Sequence, residues 1–199
     1  MHEFAHAFVA TKLGDDTPER EGRLTLSPAA HIDLLGTIIL PTVAILTGGA
    51  AFLGWAKPVN VSASRFRRDV DMRRGMALTA FAGPASNLLL ATISIALLAG
   101  LSQAGLLTRS SPTGGAFIEL FKAMFFVNVG LFVFNMLPIP PLDGSRLLPR
   151  SFDPLLEKAA PYSFLLVMVI LMVPPLRAVL ITVPMTFISG TLLSVFGLR

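Results

Sequence analysis

Residues 76–107 read MALTAFAGPASNLLLATISIALLAGLSQAGLL, a run without a single charged side chain. It holds about 20 apolar positions, enough for a helix to cross a hydrocarbon core roughly 30 Å thick. Residues 116–139 form a second run of about that apolar length, with Glu119 and Lys122 as its charged residues, and residues 34–55 and 162–198 are two further apolar stretches. Hydrophobic residues make up 53% of the 199 positions and charged residues 14%. An ordinary soluble domain carries about 25% charged residues. The composition excludes a disordered chain and a water-soluble globule, whose surface needs charge to stay dispersed. The reading is an all-α, multi-pass membrane protein of about four to six membrane segments, forming one integral-membrane domain over 1–199. Cysteine is absent, so any metal site must use His, Asp or Glu.

The other segments are less regular. Residues 34–55 carry Gly36, Pro41, Gly48, Gly49 and Gly54, poor content for a continuous helix. Two readings stay open there, a re-entrant hairpin and an ordinary spanning helix. The 162–198 stretch is interrupted by Pro174, Pro175 and Pro184, so it is either a helix through Val173 plus a second element or one kinked helix. Residues 1–13 read as a helix too short to span alone. Lys57, Arg65, Arg67, Arg68, Arg73 and Arg74 crowd one connection, and Arg146, Arg150 and Lys158 another, while 108–115 holds only Arg109. The positive-inside rule puts the first two connections in the cytoplasm.

The chain opens Met1-His2-Glu3-Phe4-Ala5-His6. On a helix, His2 and His6 present both imidazoles from one face, a spacing that lets them bind one zinc ion. Glu3 beside them is placed to act as general base on a metal-activated water. The bland alternative is a pair of polar residues on an interfacial helix with Glu3 as partner, costly in apolar surroundings. Catalytic zinc usually has three protein ligands, and His31 and the acids are candidates for the third. At the end of the 116–139 run, Pro138, Pro140 and Pro141 stop the helix and Asp143-Gly144 makes a turn. Asp143 is either a functional intramembrane-end carboxylate or the N-cap of the next helix. The topology puts His2, His6 and Asp143 at similar depth on one side, which favours the functional reading.

These residues resemble the site-2 protease family of intramembrane zinc metalloproteases, in its small form without an inserted PDZ or CBS domain. The resemblance rests on His2-Glu3-x-x-His6 and on Asn135-x-x-Pro138-x-Pro140-x-Leu142-Asp143-Gly144. It is supported by Gly22-Arg23-Leu24-Thr25-Leu26-Ser27-Pro28 with His31-Ile32-Asp33, by Gly54-Trp55-Ala56-Lys57-Pro58-Val59, and by Ala82-Gly83-Pro84-x-x-Asn87. It implies His2, His6 and Asp143 as ligands of one zinc per chain and Glu3 as catalytic acid/base. It also implies a transmembrane protein substrate, cut near the cytoplasmic face of a cell membrane of bacterial or archaeal type. Family members carry apolar sequence before the first motif, so the N-terminal half of that transmembrane helix is expected to be missing here.

Asn87 and Asn135 are intramembrane amides that either donate to a tetrahedral oxyanion or bond between helices. His31 lies near metal or substrate, or else serves a structural role. Residues 23–26 and 59–61 have strand character at the cytoplasmic edge, where an extended substrate could add by pairing. The basic run 65–74 faces anionic lipid headgroups, with substrate docking the alternative. No nucleic-acid motif is present. A catalytically inactive substrate-binding scaffold and a small secondary transporter are the rival functions. The intact Glu3 argues against the first, and the absence of a paired repeat argues against the second.

Overall fold

The computed structural model describes residues 1–199 except 40, 41, 44, 45, 47–56, 109 and 199. Among the described residues the regular structure is helical, with no strand. The chain divides into two compact units, Met1–Gly83 and Pro84–Arg199.

The first unit begins with α1, His2–Lys12, which buries His6, Ala7 and Ala10. Small alanines on that face allow close helix packing. The helix stops at Leu13, and Gly14 takes φ +110°. A side chain there would be strained, and its Cβ would lie 2.8 Å from the Arg67 backbone nitrogen. The turn after Gly14 is organised by Asp15, which is fully buried. Its Oδ1 accepts from the Thr17 backbone N–H at 3.0 Å and the Thr17 hydroxyl at 2.6 Å. Its Oδ2 accepts from the Ser62 N–H at 2.6 Å. A buried carboxylate is tolerated here because both oxygens are occupied. The short helix α2, Thr17–Arg20, follows with Pro18 in its first turn.

The expected strands at 23–26 and 59–61 do not form; both stretches are irregular. The reason is local. The Thr25 N–H bonds back to the Arg23 carbonyl at 2.9 Å, and the Ser27 N–H bonds to the Thr25 hydroxyl at 3.1 Å. Side chains near these backbone groups offer them an alternative to a ladder. The stretch 34–55 falls mostly outside the described residues, as do Arg109 and the Gly54-Trp55-Ala56 part of its motif. Within it, Leu34–Ile39 forms a π-helical turn.

The unit boundary falls within α3, Met72–Gln103. Buried Pro84 sits inside this helix; its ring removes a backbone N–H and crowds the carbonyl four residues earlier. In the second unit, α3 presents Ala91, Ile95 and Leu98 along one face. They pack with Ile118, Phe125, Val129 and Val133 of α4, Pro112–Asn135. The spacings of three, four and seven are those of one helical stripe. The N-cap of α4 is Ser111, whose hydroxyl accepts the Gly114 N–H at 3.2 Å. After α4 the proline-rich stretch leads into a 3₁₀ turn, Asp143–Leu147.

Helical structure then runs through a turn at Arg150–Phe152, α5 (Asp153–Ala159), a turn at Ala160–Tyr162 and α6 (Ser163–Met172). Val173 is extended, and Pro174 opens a new run through α7 (Pro174–Arg177) to α8 (Val183–Val195). The 162–198 stretch is thus two elements. A π-turn at Ala178–Thr182 lies just before Pro184. It re-routes the backbone bonds that the proline ring would break. Met185, Ile188 and Leu192 of α8 pack against the α3–α4 core.

Among the described residues, four helical runs are long and apolar enough to cross a membrane: Met72–Gln103, Pro112–Asn135, Arg150–Met172 and Pro174–Val195. Their outward faces carry many large apolar side chains. Leu89, Ile93 and Leu97 are exposed on α3, and Leu120, Met124 and Val127 on α4, while Asn87, Ser94 and Ser163 are buried. Such a surface would be an aggregation liability in water and suits lipid. The buried hydroxyls bond to nearby backbone carbonyls, Ser94 to Leu90 of its own helix at 2.7 Å and Ser163 to Ala160 of the preceding turn at 2.6 Å. Lipid supplies no partner for them.

Replacing Asp15 by alanine strands the Ser62 and Thr17 N–H groups. It is expected to destabilise the first unit by about 2–4 kcal/mol, read as a lower melting temperature of the detergent-purified chain. An unchanged melting temperature would contradict this role.

Candidate metal centre

The site starts from the helix period. One turn of α1 separates His2 from His6. Their Nε2 atoms lie 3.0 Å apart, with ring centroids at 4.6 Å and planes at 85°. His6 is buried, and its Nδ1 meets the Thr79 backbone carbonyl at 2.7 Å. A carbonyl oxygen only accepts, so Nδ1 carries the proton and the neutral ring keeps its lone pair on Nε2. This outer hydrogen bond is the one metal-ligating histidines use to fix ring orientation.

The pair fits zinc on three counts. Two nitrogens on a tetrahedral zinc are separated by about 3.3 Å, close to the observed spacing. The His6 tautomer puts the lone pair on Nε2, the nitrogen on the His2 side. Gly83 of α3 lies so close to the rings that a Cβ there would overlap the His6 imidazole and approach His2 Cε1 to 2.7 Å. Without a cation, the same spacing serves an N–H···N bond from His2 to His6. Glu3 follows His2 and is half-buried; among the described residues none hydrogen-bonds its carboxylate.

In the second unit, Asp143 is half-buried and opens the Asp143–Leu147 turn as its first residue, with Leu142 at the N-cap position. Gly144 lets this turn fold back onto the end of α4. A Cβ there would collide with the carbonyl oxygens of Met136 and Leu137. The Ser145 hydroxyl closes the turn on the Leu142 carbonyl at 2.7 Å.

Asn87 is buried on α3. Asn135 spends its amide donor on the Leu131 carbonyl of its own helix, at 2.9 Å. Nε2 of His31 bonds the Thr25 carbonyl at 3.0 Å, and the His31 carbonyl accepts the Lys57 N–H at 2.9 Å. His31 therefore pins a loop. Buried Arg23 joins it by donating to the Ala30 carbonyl. Sequence reasoning missed Thr79, because its contribution is a backbone carbonyl that any residue would supply. Gly83 stood within a motif, and a glycine directly before an intrahelical proline was the available signal for a close approach.

Gly83→Ala is expected to weaken zinc binding by at least about tenfold, measured by chelator competition on purified protein. Thr79→Val, which keeps the carbonyl and removes a hydroxyl that has no hydrogen-bond partner among the described residues, should leave it unchanged. Equal affinities for Gly83→Ala and the parent chain would refute the packing argument.

Comparison with known proteins places the chain. The family model described as Peptidase family M50 matches residues 105–174. The chain is 39% identical over 178 residues to "Putative zinc metalloprotease YwhC" of Bacillus subtilis (strain 168), covering 87% of this chain and 76% of that protein. It is 34% identical over 181 residues to "Putative zinc metalloprotease Rip2" of Mycolicibacterium smegmatis, covering 89% of this chain and 64% of the relative. The Rip2 of Mycobacterium tuberculosis (strain H37Rv) is 31% identical over the same length, with the same coverage. The chain thus spans just under two thirds of these Rip2 relatives. No solved structure matches it. The apolar helices and these relatives make the chain an integral membrane protein, and it belongs to peptidase family M50, the site-2 protease family.

Proposed function

We propose that this chain is a zinc-dependent intramembrane endopeptidase that cuts transmembrane protein substrates near the cytoplasmic face. The observation that carries the reading is the His2–His6 pair, with Nε2 atoms 3.0 Å apart and the His6 tautomer set by Thr79. The printed names "Putative zinc metalloprotease YwhC" and "Putative zinc metalloprotease Rip2" support it. Asp143 is the third ligand in this reading, and one zinc is bound per chain. A carboxylate completes a two-histidine set of the kind found in catalytic zinc sites, and the Gly144 close approach gives its turn a defined place. The concentration of basic residues before α3 supports a cytoplasmic active site in a multi-pass topology.

The chemistry is hydrolysis of a peptide bond. Zinc, when bound, supplies a Lewis acid that acidifies water and polarises a carbonyl. The Glu3 carboxylate accepts the proton of the attacking water and returns it to the leaving amine. His6, oriented by the Thr79 carbonyl, would offer its Nε2 lone pair to the metal. A substrate helix must unwind locally, because its own hydrogen bonds occupy the carbonyls to be cut.

Glu3→Gln is expected to retain zinc and to lower cleavage of a reconstituted transmembrane substrate by a factor of about 10² to 10⁴. Asp143→Ala should lose the metal. Undiminished cleavage by Glu3→Gln would overturn the enzyme reading, and undiminished zinc in Asp143→Ala would overturn the ligand set.

A further inference from the structure

Residues 57–74 hold six cations, Lys57 and Arg65, Arg67, Arg68, Arg73 and Arg74, against two acids, Asp69 and Asp71. Their net charge of +4 equals that of the whole chain, so the rest of the protein is balanced. The segment runs into the first turn of α3, which holds Arg73 and Arg74 and whose later window is apolar enough to enter a membrane. It is also firmly mounted. Buried Phe66 lies against Gly75 in the first turn of α3, where a Cβ would come within 2.6 Å of its ring. The Arg67 N–H donates to the Leu13 carbonyl at 2.9 Å, Arg65 pairs with Asp16 at 2.9 Å, and Asp15 holds the Ser62 N–H. The basic segment is therefore bolted to the end of the helix that carries His2 and His6.

Arg65 is committed to Asp16. Arg67, Arg68 and Arg74 are exposed. The Arg67–Asp69 pair is long, at 3.5 Å, with both side chains open to solvent, so it neutralises little. We propose that Arg67, Arg68 and Arg74 form a binding surface for anionic phospholipid headgroups, and that a bound lipid steadies the first unit through the Leu13–Arg67 and Asp15–Ser62 bonds. Guanidinium forks match phosphate geometry, and each basic residue near an anionic bilayer surface is worth about fivefold in partition. The inference is independent of the protease reading, since it needs only the integral-membrane placement.

The test is native mass spectrometry of the purified full chain with equal amounts of phosphatidylglycerol and phosphatidylcholine. The expected result is retention of phosphatidylglycerol by roughly tenfold over phosphatidylcholine. That preference should fall to near one in the triple variant Arg67→Gln/Arg68→Gln/Arg74→Gln and persist in the triple Lys variant. All three side chains are exposed and the Arg67 backbone bond is kept, so the fold should survive; a melting curve of each variant checks this. The lipid should also raise the melting temperature of the parent chain but not of the Gln variant. Equal retention of the two lipids, or an unchanged preference in the Gln variant, would overturn the proposal. Displacement of phosphatidylglycerol by millimolar glycerol 1-phosphate would overturn it too, because the ligand would then be a free phosphate.

Discussion

A histidine buried between apolar helices persists only if each ring nitrogen has a partner, since neither lipid nor a hydrocarbon core offers one. In this chain the Thr79 carbonyl satisfies Nδ1 of His6 at 2.7 Å. That single bond leaves Nε2 as the lone pair and aims it at His2. The orientation of the histidine pair depends on it. Gly83 keeps α3 close enough for the bond to form, and the burial of Ala7 and Ala10 seats α1. The buried Asp15 then fixes the turn after α1 to residue 62.

The membrane environment explains why so much of the framework was readable from composition and period. Apolar runs of about 20 residues have few alternatives to helices in lipid, and α3 and α4 lie close to the expected stretches. Their ends moved for local reasons. α4 begins at Pro112 because Ser111 caps it, and it ends at Asn135 because Pro138 is near. The break at Val173 needed coordinates, since Pro174 and Pro175 are compatible with either a kink or a fresh start. Residues 23–26 look like a strand by composition, yet Thr25 and Ser27 turn the backbone onto itself.

Legibility of the site followed a similar divide. The His2-Glu3-x-x-His6 spacing carries its own geometry, because a helix brings residues four apart together. The outer shell does not. Thr79 acts through its backbone, and its side-chain identity is silent. Gly83 acts by lacking a Cβ, which is visible only when a neighbour's distance is known. His31 and Asn135 show the converse, polar residues in apolar sequence whose observed bonds are to nearby backbone carbonyls.

The most direct measurement is zinc K-edge X-ray absorption on the purified chain loaded with one equivalent of zinc. The expected spectrum has a nitrogen/oxygen first shell near 2.0 Å and the outer-shell scattering of two imidazoles, reduced when His6 is replaced by alanine. A spectrum without imidazole scattering, or one unchanged by that substitution, would contradict a metal centre built on His2 and His6.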